Sequence, residues 1–150
     1  MIKKTIIIFL ILTFNLYAAE MKHFTTIISK DIKLTEIDAD KLAEKIAEML
    51  GLSMHDFKGT VKVLKKEEIA RLYKDLFDIK TDINSFYMLT THTIYINVEN
   101  YNEPILAHEI THALITSYFA EPIPIQIQEI LCKSMEYITR KGLLNQDSKK

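Results

Sequence analysis

A single cysteine, Cys132, excludes an internal disulfide, so a domain built from this chain is held by packing, with or without a metal ion. Charge of neither sign is in excess: 19 basic against 20 acidic side chains give a formal charge of −1. With no run of Lys and Arg interleaved with aromatics, the electrostatic footprint of a nucleic-acid-binding protein is missing, and no nucleic-acid partner is expected. Repeats, low-complexity segments and linkers are also absent, and 150 residues with 48% hydrophobic and 26% charged side chains suit one globular domain. No apolar run reaches membrane-spanning length, because the stretch from Thr5 to Tyr17 falls short of the ~20 residues a helix needs.

That stretch has another layout. In MIKKTIIIFLILTFNLYAAE a basic start at Lys3 and Lys4 precedes an unbroken apolar run from Ile6 to Leu12 and the small pair Ala18 and Ala19. This is the pattern of a secretory signal peptide. Residues 1–19 are expected to be that signal and residues 20–150 the exported domain, periplasmic or secreted. The short signal and Lys/Ile-rich composition suggest a bacterial host. No cysteine follows the run where lipid could be attached, so no stable membrane insertion is expected.

Residues 23–34 are β-branched and weakly alternating, which predicts a strand or extended arm. From Asp38, apolar residues at Leu42, Ile46, Met49 and Leu50 predict a helix that Gly51 ends. Gly59 to Leu64 alternates as a half-buried strand, and Ile69, Leu72, Leu76 and Phe77 then recur at helical spacing. Phe86–Thr90 and Thr93–Val98 read as a hairpin joined around Thr91 and His92, without an Asn-Gly turn. Asn102-Glu103-Pro104 opens a helix running to about Phe119, since Asn caps, Glu suits the positive end of the dipole and Pro is tolerated in the first turn. The prolines of EPIP (121–124) break the chain before a last helix from about Ile125 to Arg140, followed by a frayed tail.

The helix EPILAHEITHALITSYF, residues 103–119, carries His108 and His112 where Leu would pack more simply. Residues four apart share one helix face, so both imidazoles can aim at one point, at a separation a zinc ion accepts. Glu109 projects about 100° round from His108 and can reach a water at the metal's open position instead of the metal itself. A third protein ligand is wanted. Glu129, on the next helix, can face the pair once the EPIP break reverses the chain, and its neighbours Ile127 and Ile130 place it near the apolar interface. The alternative is a solvated Glu129 on a polar side shared with Gln126 and Gln128. Glu136, seven positions on, is the reserve ligand or an acceptor for a histidine N–H. Cys132 can approach the metal from the same face, though a lone cysteine on an apolar helix is more often a small core residue. His23 and His55 have no spacing argument and are expected at the surface.

ILAHEITHAL followed by PIPIQIQEIL resembles the gluzincin class of zinc metallopeptidases, and more narrowly small peptidase-MA-type or minigluzincin domains. The resemblance covers about residues 84–137. It implies a compact zincin-like α+β domain in which a small sheet packs on the active-site helix and a following glutamate-bearing helix. It implies one zinc ion per chain held by His108, His112 and Glu129, with Glu109 as general base in the hydrolysis of a peptide or protein substrate. Ile130 stands where many relatives have glycine after the ligand glutamate, and the tryptophan they carry just before it is missing. The further histidine of metzincins is absent too, because position 118 is Tyr. Tyr118, Tyr137 and His92 are each chemically able to stabilise an oxyanion, and IYINVE or FYMLT could pair with extended substrate. Two other functions compete with an exported peptidase. One is a zinc-binding module that is not catalytic or that needs a partner protein to complete its cleft, and the other is a metal-free interaction protein.

Overall fold

The computed structural model describes residues 23–145, so the expected signal segment lies outside the described residues. The fold is α+β, with four strands and four helices: β1 Phe24–Ile28, α1 Ala39–Leu50, β2 Gly59–Leu64, α2 Lys66–Phe77, β3 Ser85–Met88, β4 Thr93–Asn97, α3 Glu103–Tyr118 and α4 Ile125–Arg140. No helix among the described residues is long and apolar enough to cross a membrane.

The helix boundaries follow local chemistry. Asp38 caps α1 by accepting the Lys41 amide hydrogen bond, and Gly51 ends it in the left-handed region at φ 65°. Asn102 accepts the Ile105 amide at the start of α3, with Pro104 in the first turn where no amide hydrogen is needed. The expected hairpin forms with slightly shorter strands, and its turn is a 3-10 segment, Leu89–Thr91, closed by His92 at φ 47°.

The sheet has the order β1-β2-β4-β3; β1, β2 and β4 run parallel and β3 is antiparallel to β4. Among the described residues β4 is thus interior, and of the two runs that could pair with substrate only the one containing β3 has a free edge. Val61, Val63, Ile94 and Ile96 are fully buried on one sheet face, with Ile46 of α1 and Leu106 and Ile110 of α3 in the same core. On the other face Phe86 stacks on Tyr95 and meets Tyr73 and Phe77 of α2 edge-on. Helix α2 covers that face loosely: Ile69 is buried, whereas Leu76 and Phe77 of its expected apolar stripe stay exposed.

Register carries this division into β3. Ser85 pairs with Ile96 and Tyr87 with Ile94, so both share the core-facing side and look at α3. His23, expected at the surface, is instead half-buried. Its amide donates to Asp40 Oδ1 (2.7 Å) and its ring Nδ1 lies 3.0 Å from the Phe57 carbonyl oxygen, which ties β1 to α1 and to the loop before β2. His55 is exposed, as expected.

Candidate metal centre

Helix α3 is buried on most of its circumference, including Ala107, Glu109, Ile110, Thr111, Ala113 and Leu114. His108 and His112 face α4, their ring centroids 5.2 Å apart. The two helices run antiparallel: His112 meets Glu129 near the start of α4, and His108 meets Glu136 two turns later. Glu129 Oε1 is 3.1 Å from His112 Nε2 and Oε2 is 3.9 Å from His108 Nε2, so the carboxylate lies between both ε nitrogens. An ion at ~2.0–2.2 Å from nitrogen and carboxylate ligands sets donors roughly 3–4 Å apart, and these separations fit that range.

The outer contacts orient the rings. His108 Nδ1 is 3.3 Å from Glu136 Oε2, and as the Nδ1–H tautomer it donates there and leaves Nε2 free as a ligand. Arg140 Nη2 donates to Glu136 Oε1 at 2.6 Å and holds the carboxylate in place. Gln128 hydrogen-bonds His112 while its own Nε2 donates to the Ile123 carbonyl at 2.7 Å. Burial, and then the neighbouring His108, push the His112 pKa down, with Glu129 opposing, so the ring is held toward the neutral form that ligates metal.

Glu109 turns away from α4 toward β3. It is only 5% exposed, and Ser85 Oγ donates to its Oε1 at 2.6 Å. Burial raises its pKa from an ordinary 4.5 to about 7; the Ser85 hydrogen bond works against that rise, and the charges of Glu129 and Glu136 add to it. A carboxyl that titrates near neutrality is suited to take up and release a proton at physiological pH.

Cys132 is fully buried, as a core cysteine would be, and it is also part of the cluster. Its Sγ and ring nitrogens of His108 and His112 all lie within 4.8 Å of one another, a group that could hold a metal ion. Burial, then the charges of Glu129 and Glu109, push the thiol pKa well up while no ion is bound.

The isoleucines beside Glu129 do not lie at the apolar interface. Ile127 is 48% and Ile130 64% exposed, whereas Gln128, which the alternative of a solvated Glu129 set on a shared polar side, is buried with Cys132, Met135 and Thr139. Glu129 reaches the histidines from the rim of that inward stripe. Of the residues named as oxyanion donors, Tyr118 is exposed with its ring edge-on to Phe119, and Tyr137 is exposed with Lys141 Nζ 5.6 Å from its ring centroid. His92 Nδ1 is 2.8 Å from Tyr87 Oη beside an open cavity of about 720 Å³ at the C-terminal end of α3, lined also by Leu114, Thr116 and Tyr118. Sequence reasoning missed Ser85 and Gln128. Ser85 is a polar residue opening an otherwise apolar strand and Gln128 is one of several polar residues on its helix, signals too common to single them out.

No protein-family model matches the chain, and no curated protein matches it significantly.

Proposed function

We propose that the protein is an exported zinc-dependent peptidase. The observation that carries this reading is the position of Glu129, which comes from a separate helix yet lies 3.1 and 3.9 Å from the ε nitrogens of the two histidines. Nitrogen and carboxylate donors in this number suit zinc, and the likeness of the motif to gluzincin peptidases supports the same ligand set. Zinc bound there would supply Lewis acidity toward a carbonyl oxygen and toward water.

The chain's own residues have distinct tasks. Glu109 takes a proton from the attacking water and returns it to the leaving amine, while the Ser85 hydroxyl, donating at 2.6 Å, fixes its carboxyl group. His108 is kept in its ligating tautomer by Glu136 and Arg140. The free edge of β3 runs beside α3 and offers main-chain groups to an extended peptide. Such pairing selects backbone more than side chains.

Metal content of the purified mature chain and hydrolysis of a mixed peptide library test this reading together. One zinc per chain is expected, lost in His108→Ala/His112→Ala. Glu109→Gln is expected to retain the zinc and lose hydrolysis by at least about 100-fold. Zinc uptake with no hydrolysis by the wild-type chain would favour a binding module, or a domain completed by a partner. No zinc after reconstitution would end the metallopeptidase reading.

A further inference from the structure

Three functional positions of α4 form one stripe: Glu129, Cys132 and Glu136 are spaced three and four residues apart and face α3. The outer two are accounted for as a ligand and a positioning carboxylate. Cys132 lies between them, fully buried, with its sulfur inside the same 4.8 Å group as the histidine nitrogens. Packing alone explains a small apolar side chain here; it does not call for a sulfur within 4.8 Å of a nitrogen of each of two imidazoles.

We infer that Cys132 Sγ is a fourth protein ligand, which competes with water for the position a hydrolytic site must keep open. This rests on the His108, His112 and Glu129 site proposed above. Structural zinc sites fill all four positions with protein atoms, whereas catalytic sites hold three and leave one for water or substrate. A His–His–Glu–Cys set is therefore closed when the thiolate is bound and open when it is not. On ligation the Sγ–H bond breaks, its proton leaves to solvent and a sulfur–metal bond forms, with no oxidant or reductant needed. Thiolate also biases the site toward softer ions such as zinc and away from magnesium or calcium, which prefer oxygen donors.

Cobalt(II) substitution tests this directly, because a thiolate ligand gives a sulfur-to-cobalt charge-transfer absorption in the near ultraviolet that nitrogen and oxygen ligands do not. The metal-free chain, reconstituted with cobalt(II), is expected to bind one ion per chain and to show that band. Cys132→Ala and the near-isosteric Cys132→Ser are expected to bind one cobalt each, to lose the band, and to hydrolyse peptides faster than the wild-type chain. One cobalt per wild-type chain without the band overturns the role of Cys132 and leaves the three-ligand site standing. No bound cobalt, or cobalt retained with the band in His108→Ala/His112→Ala, overturns the three-ligand site and this inference together. The wild-type spectrum decides even if both cysteine variants fail to fold.

Discussion

Burial of Glu109 carries over into the pH dependence of stability. Its folded pKa of about 7 lies above its ordinary 4.5, so the folded state holds this proton more tightly than the unfolded state. The stability associated with that proton is complete below pH 4.5 and is lost as pH rises through 7. His112 acts in the opposite sense: its depressed pKa contributes stability above the ordinary histidine range that is lost as pH falls. Comparison of wild type with Glu109→Gln separates the two. The variant is expected to stabilise the metal-free protein at pH 8 by up to about 3 kcal/mol and to have little effect at pH 4.5. Denaturant melts of both proteins at the two pH values, with chelator present, measure the difference; an unchanged gap would remove burial as the cause. The contact between Ser85 and Glu109 belongs to the same scale but depends on strand register, since a slip of one residue would turn Phe86 toward the carboxylate instead.

Among the elements, the two ends of the sheet differ in how tightly they are specified. At the β1–β2 end Gly59 pairs with Phe24 and donates its amide hydrogen to the His23 carbonyl at 2.7 Å. A Cβ at Gly59 would stand 2.8 Å from Phe24 Cε1 and 3.0 Å from Phe57 Cε1, and the Phe24 ring is buried and has little room to move. Gly59→Ala is expected to cost about 1–3 kcal/mol in chemical denaturation and to leave any zinc uptake unchanged, because the proposed ligands all lie on α3 and α4. At the other end β3 has a single neighbour, the geometry of a strand that can accept another. Helix α4 shows why sequence misplaced its inward face. The isoleucines at 125, 127 and 130 point outward, while Gln128, Cys132, Met135 and Thr139 turn inward. Apolar periodicity finds a helix's core side only where apolar residues are on it, and here the inward stripe is partly polar beside His108 and His112 of α3.

At the scale of the whole molecule the candidate centre spans α3 and α4, which also pack directly on each other, and an ion held from both sides would stabilise the folded state by mass action. At a free zinc concentration 100-fold above Kd the gain is about 2.7 kcal/mol, which for a domain of this size raises Tm by roughly 10 °C. Thermal unfolding with zinc and with chelator should show that shift in the wild-type chain and none in His108→Ala/His112→Ala. A shift of equal size in the variant would place the stabilising ion elsewhere. Sequence alone determined the α+β class, the caps at Gly51 and Asn102, the hairpin, and the pairing of His108 with His112, because each depends on residues within a turn or two of one another. Tertiary structure alone decided how closely Glu129 approaches each imidazole, that among the described residues β3 and not β4 forms the free edge, and that Ser85 and Gln128 adjoin the candidate site. Those relations join residues distant along the chain, and their geometry is set by how buried faces fit together, which no local spacing encodes.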